Sequence, residues 1–365
     1  MAILGTSGML LIDSSARYCQ YMTVSCKGYF LTTNFMSMTP MKIGFITTQP
    51  HIIKTYFPTA AEPFFIPTEP LFTPDDQLAV DTLRSNGFDV QGVLWGASPE
   101  EIASFDALIF RSPWDYKDTH DNKVRFLAWL SSLKNSNATI LNPIDFIHWN
   151  IDKHYLRDLS SVGIAIVPTN YIEQGEVFNL TKHFENEGAF IAKPCISAGG
   201  DGLFCIQSLD EAQELQEQIN IALKHNSYMI QPIIEDIKTN GEWSFIFIGN
   251  QYSHAIHKIT APDSIFVHAE RGGGFVFNEI PSDHLIQFAK EVRKKILPVF
   301  NKKTGSSMVD TELLYLRIDV IDTQQGPVVI ECEGVEPELF FRAHLPSTQL
   351  FSDAISYYSA TLNTA

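Results

Sequence analysis

A chain of 365 residues with 45% apolar and 19% charged side chains has the composition of a globular protein and room for two or three subdomains. Lys and Arg number 26 against 42 Asp and Glu, and the formal net charge of −16 argues against nucleic acid as the main partner, since phosphate neutralisation needs basic residues. The five cysteines (Cys19, Cys26, Cys195, Cys205, Cys332) form no Cys-x-x-Cys pair and are odd in number, so their spacing supports neither a zinc site nor a disulfide framework. A reducing cytoplasm is the simplest setting for them. No apolar run approaches the ~20 residues of a membrane span, so no membrane partner is expected.

Residues 1–40 are rich in Ser, Thr and Met and lack the basic start and long apolar core of a secretory signal. They read as a poorly ordered extension, or translation starts at Met41. Met41–Ile46 is a first strand. Thr73 and Pro74 open a helix that closes at Asn86-Gly87. Phe88–Trp95 and the apolar run Ala107–Phe110 are further strands, and residues 121–134 a helix. Strands alternating with helices over 41–145 predict a parallel α/β sheet. The third strand empties into Arg111-Ser112-Pro113-Trp114-Asp115-Tyr116. Ligands sit beyond the carboxyl ends of such strands, so Arg111, Ser112, Asp115 and Tyr116 are substrate candidates. The alternative is a loop in which Arg111 and Asp115 pair with each other while Trp114 and Tyr116 pack.

A helix is expected over 149–159, carrying Lys153, followed by a strand at Ile164–Thr169. Ala189–Ala192 is a strand ending in Lys193-Pro194. The turn Ser197-Ala198-Gly199-Gly200-Asp201-Gly202 then leads back into Leu203–Ile206. Gly-rich backbone of this kind can approach a phosphate closely, although hairpin turns favour Gly in any case. No Gly-Lys-Ser/Thr follows, so this is not a Walker motif. A helix over 209–223 precedes the strand Tyr228–Ile234, a segment that could line an adenine pocket. Residues 241–259 form a hairpin turning at Gly249-Asn250, with Glu242, Ser244, His254 and Lys258 interleaved among apolar residues. His254 and His257 lie three apart and face opposite sides, so they are not expected to share a metal. Arg271-Gly272-Gly273-Gly274 is a second Gly-rich loop, with a cation. Helices are expected over 283–299 and 347–362.

Between those helices lies a second hairpin, Leu316–Val320 and Val328–Glu333, turning at 322–327. Alternation puts Arg317 and Asp319 on one face, and Val329, Glu331 and Glu333 on one face of the returning arm. If Asp319 pairs near Glu331, three carboxylates converge, and a divalent cation would relieve their repulsion. The alternative is a solvated acidic face. Cys332 points the other way, into the core.

The order of these pieces resembles the ATP-grasp superfamily: Lys153, the Lys193-Pro194 strand end, a Gly-rich hairpin, Gln231-Pro232, Gly241-Glu242-x-Ser244, Lys258 before an Arg-Gly-Gly loop, and the acidic hairpin. The words at 111–116, 149–156, 253–258 and 336–340 (Glu-Pro-Glu-Leu-Phe) resemble the branch containing the D-cycloserine-forming cyclo-ligase. The resemblance implies an α/β ATP-grasp fold with an N-terminal parallel domain (41–145). The ATP-grasp region would follow (146–365), with a lid subdomain near 185–232 and a C-terminal subdomain near 233–365. It implies ATP and Mg2+ as cofactors. Lys153 and Lys193 would meet the phosphates, with Ser197, Gly199, Gly200 and Gly202 closing over them. Gln231, Ile233, Ile234 and Glu242 would line the nucleotide, and Asp319, Glu331 and Glu333 would hold magnesium. Arg271, Arg317 and Lys258 would act on the transferring phosphoryl group. The commonest pattern has Asn where Glu333 stands, so this hairpin departs from it. The activity implied is ADP-forming ligation of a small-molecule carboxylate to an amine, in a cytoplasmic protein that could be a homodimer. An ATP-grasp kinase and a non-catalytic nucleotide-binding regulator are the alternatives.

Overall fold

The structure is a computed structural model that describes residues 39–49, 72–136, 138–262, 264–267 and 272–362. The extension expected over residues 1–40 lies almost wholly outside the described residues, and so does Arg271. Strands β1 (Lys42–Thr47), β2 (Asp89–Leu94), β3 (Ala107–Ser112) and β4 (Ile140–Leu141) form a parallel sheet in the order β2-β1-β3-β4. Their near-continuous apolar runs suit a sheet covered on both faces. All six side chains of β3 are buried. Helix Pro74–Ser85 starts where Thr73 Oγ1 accepts the Asp76 N–H at 3.0 Å, and Pro74 occupies its first turn.

The second sheet is antiparallel: β5 (Asn170–Ile172), β6 (Phe190–Pro194), β7 (Phe204–Ile206) and β8 (Tyr228–Pro232), in the order β5-β8-β6-β7. Helices Leu180–Glu187 and Leu209–Ala222 cover it, and Leu180, Phe190, Ile206 and Ile219 form its own small core. The third sheet contains β9 (Glu242–Ile248), β10 (Gln251–Ile259), β11 (Gly274–Val276), β12 (Tyr315–Thr323) and β13 (Gly326–Glu333), in the order β11-β10-β9-β12-β13. Helix Asp283–Thr304 packs on one face through Val292, Ile296 and Phe300. The terminal helix Pro346–Leu362 sends Phe351 and Ile355 into a cluster shared with Ile43, Phe45, Ile248 and Tyr315, which joins the parallel sheet to the third sheet.

Two expected elements differ. Residues 164–169 do not form a strand. They make one bridge, Ile166 to Val329, through Val167 N–H to Val329 O (3.1 Å) and Val329 N–H to Ala165 O (2.9 Å). The expected helix over 149–159 is two short helices, Ile144–Asn150 and Tyr155–Ser161. Lys153 lies in the break, where its N–H bonds Cys195 O at 2.9 Å instead of continuing a helix.

Candidate active site

The floor of the site is the hairpin β12–β13. Asp319 stands opposite Glu331 and Arg317 opposite Glu333, but Val320 pairs with Val329, so Ile330 is an extra residue. Such a bulge shifts the alternation by one position. Val329 therefore turns into the core beside Val320 and Cys332, correcting the expectation that it shares a face with Glu331 and Glu333. Asp319, Glu331 and Glu333 each place an oxygen within 4.8 Å of the others. The far end of β13 is pinned by Asn150, which donates to Cys332 O at 2.8 Å and accepts the Gly334 N–H at 2.6 Å.

Cations surround this triad. Arg317 donates to Asp319 through Nε (3.0 Å) and Nη2 (2.9 Å), and Nη2 also meets Glu333. Ser244 Oγ donates to Asp319 at 2.5 Å. Lys258 pairs with Glu242 at 2.6 Å and lies 3.7 Å from Asp319. Their closeness needs Gly241, where a Cβ would sit 2.3 Å from Lys258 O at a φ of +61°. Lys153 Nζ approaches Glu331 at 3.2 Å and donates to Ser197 O at 2.6 Å. Burial raises the Asp319 carboxyl, but Arg317 and Lys258 outweigh it and hold it down to about 2. Burial, reinforced by Asp319 and Glu331, wins at Glu333 despite Arg317 and pushes it up to about 8. Burial also depresses the Lys193 ammonium, with Lys153 adding to the effect against Glu331.

These groups line one cavity of about 420 Å³, within the range of small-molecule sites. Its second wall is Lys153, Lys193, Ser197, Ala198, Gly199, Gly200 and the segment Gln231–Ile234. The Gln231 side chain is committed to Thr169 Oγ1 at 2.8 Å. Gly202 is not on the wall; its carbonyl accepts the Tyr228 hydroxyl at 3.2 Å.

The third wall comes from the loop after β3 and from residues 336–342. Trp114 and Tyr116 line the cavity, and the Tyr116 hydroxyl donates to Glu336 Oε1 at 2.7 Å. The other three substrate candidates are corrected by the structure. Arg111 is buried against Asp76 at 2.8 Å, Ser112 bonds Thr47 at 2.9 Å, and Asp115 accepts from Trp95 Nε1 at 2.5 Å. None of the three lines the cavity. Conversely Glu336, Glu338 and Arg342 line it, although the sequence signalled the two acids only as part of the Glu-Pro-Glu-Leu-Phe word and gave no signal for Arg342. His254 stacks on His344 and His257 on Trp243, so the two rings have separate packing partners.

Residues 57–142 match the family described as D-cycloserine synthetase DcsG, N-terminal domain. The chain is 25% identical over 277 residues to the cycloserine biosynthesis protein DcsG of Streptomyces lavendulae, covering 71% of this chain and 85% of that protein. A crystal structure of D-cycloserine synthetase DcsG superposes with a TM-score of 0.67 at 20% identity, over 87% of this chain and 99% of that one. A RimK-domain ATP-grasp protein of Sphaerobacter thermophilus gives 0.57 at 12% identity, over 86% and 98%. The ATP complex of D-alanine–D-alanine ligase from Bacillus anthracis gives 0.54 at 12% identity, over 87% and 95%. The fold is that of the ATP-grasp proteins.

Proposed function

We propose that the protein is an ATP-dependent ligase that converts a substrate carboxylate into an acyl-phosphate and joins it to an amine, in a second molecule or in the same one, releasing ADP and phosphate. The observation that carries this reading is one cavity in which three clustered carboxylates of a hairpin face Lys193 of the neighbouring sheet and Lys153 of the break between two helices. A nucleoside triphosphate uses both sets, the lysines for its phosphates and the carboxylates for its divalent cation. Similarity to a D-cycloserine synthetase and to D-alanine–D-alanine ligase supports the same class.

Lys153 and Lys193 would bind the phosphates as compact point charges, with the Ser197–Gly200 backbone beside them. Gln231, Ile233 and Ile234 would line the adenine, and Glu242 would hold Lys258 toward the phosphates. The triad fits magnesium: its donors are all carboxylate oxygens, and a cation would favour the ionised form of Glu333, which burial first and then Asp319 and Glu331 oppose. Bound at Asp319, Glu331 and Glu333, magnesium would supply charge neutralisation at the phosphates. Arg317 would steady the transferring phosphoryl group, a role proposed also for Lys258 and Arg271. Tyr116 and Glu336 would face the acyl substrate, and Trp114, Phe275 and Phe340 would keep water from the acyl-phosphate.

The test is phosphate release from ATP by purified protein with magnesium and pools of amino acids and ureido compounds. Release that requires a carboxylate and an amine supports the ligase. Phosphoryl transfer to a hydroxyl, or tight ATP binding without turnover, overturns it. The reading carries a homodimer, which light scattering checks, and a cytoplasmic setting in line with Cys195 and Cys332 as thiols. No described helix is long and apolar enough to cross a membrane.

A further inference from the structure

A second group of metal-ligating side chains, none of which lines the cavity, comes together from three separate stretches. His154 lies in and Cys195 just after the two segments that carry Lys153 and Lys193, and Glu173 follows β5. His154 Nε2 is 3.9 Å from Cys195 Sγ and 3.4 Å from Glu173 Oε1. A tetrahedral zinc with its usual bonds to nitrogen, sulfur and oxygen sets its ligand atoms about 3.3–3.7 Å apart. The other ring nitrogen, His154 Nδ1, is 2.5 Å from Asp152 Oδ1. A carboxylate on that atom fixes the tautomer and leaves Nε2 with a free lone pair, the arrangement that orients metal-bound imidazoles. The ring is held further by stacking on Tyr171, with centroids 4.6 Å apart. Asp152, His154 and Cys195 each place a ligand atom within 4.8 Å of the others.

We propose that His154, Cys195 and Glu173 form a binding site for a zinc-like divalent cation, distinct from the carboxylate triad, with Asp152 orienting the histidine. The donor set decides the class of ion. A thiolate and an imidazole select a borderline metal such as zinc over magnesium, which takes oxygen ligands. Cys195 is buried while Glu173 is half exposed, so an ion reaches the site from the solvent side. Binding forms the metal–sulfur bond and releases the thiol proton to solvent. An ion here ties the Lys153 turn to the end of β6, two residues beyond Lys193, and so stiffens the mounting of both lysines. The zinc site is argued from its own geometry and stands whether or not the ligase reading does.

The test is a titration of chelator-treated full-length protein with Co2+ in the presence of excess Mg2+, which keeps the carboxylate triad occupied. One equivalent is expected to give a thiolate-to-cobalt charge-transfer band that Zn2+ abolishes. The band should vanish in Cys195→Ser. Asp152→Asn should weaken affinity roughly ten- to a hundredfold. Asp319→Asn, which alters the triad, should keep the band. Absence of the band in the unmodified protein, or its survival in Cys195→Ser, overturns the proposal. If Cys195→Ser fails to fold, Glu173→Gln at the exposed ligand decides: about tenfold weaker Co2+ binding supports the site, and unchanged binding refutes it.

Discussion

Arg111 near the end of β3 and Tyr116 in the turn that follows it meet opposite fates. Arg111 is buried against Asp76, whose carboxyl stays raised by burial in spite of the guanidinium. Replacing it by methionine strands a buried acid, and such losses cost about 3–5 kcal/mol. Arg111→Met should therefore lower the midpoint of denaturant unfolding sharply; an unchanged midpoint would contradict the burial. Tyr116→Phe keeps the ring stacked on Phe126, 4.4 Å between centroids, and loses only the hydroxyl bond to Glu336. Its stability should change by about 1 kcal/mol or less while KM for the acyl substrate rises. At the triad, Glu331→Gln removes an oxygen ligand and the partner of Lys153. The expected loss is about 2–3 kcal/mol of transition-state stabilisation, roughly a hundredfold in kcat. Full activity in that variant would remove the hairpin from the mechanism. Both residue types were visible in the sequence as a polar and aromatic cluster and an acidic hairpin. Which members face the cavity was not, because Arg111 finds its partner 35 positions earlier.

At the scale of elements, the hairpin was legible because strand periodicity is local. Its bulge was not, since Val329 is turned inward by the cluster it packs into. The end of the hairpin depends on Asn150 at the close of a separate helix. Asn150→Ala would leave the Gly334 N–H and the Cys332 carbonyl buried without this partner, at about 1–3 kcal/mol for each group. The expectation is a lower melting temperature together with a higher Mg2+ requirement, because Glu331 and Glu333 flank Cys332. A melting change with unaltered Mg2+ dependence would show that Asn150 supports the fold alone. The helix break at 151–154 teaches the same point. Helical spacing predicted continuity, but the Lys153 N–H is claimed by Cys195, and that contact turns the lysine toward Glu331.

Over the whole molecule, the parallel sheet and the site wall are tied by Asp75, which accepts the N–H groups of Phe341 and Arg342 at 3.1 and 3.0 Å. The third sheet is tied to the segment before the terminal helix by His254, stacked on His344. Burial, then the neighbouring His344, lowers the His254 imidazole from 6.5 to about 4. The folded state thus rejects a proton that the unfolded chain accepts below pH 6.5. This contribution is complete above about pH 6.5 and is lost as pH falls toward 4, on the order of 3 kcal/mol. Unfolding free energy should fall across that window, and the slope should flatten in His254→Asn. An equal slope in the variant would assign the acid sensitivity elsewhere. ATP with Mg2+ at a hundred times its dissociation constant should stabilise the protein by about 2.7 kcal/mol, read as a thermal shift that Lys193→Met removes.

What the sequence by itself determined was whatever has a local period or a local order: the parallel α/β start, the two hairpins, the capped helices, and the succession of lysine, glycine loop and acids along the chain. What only the tertiary structure decided was which of those side chains meet. Arg111 went to the core, Glu336 and Glu338 came to the cavity, and His154, Cys195 and Glu173 gathered outside its lining. The physical reason is that side-chain periodicity records which face of an element is buried. The partner on that face is supplied by chain elsewhere in the sequence, and burial then sets the charge each group can carry.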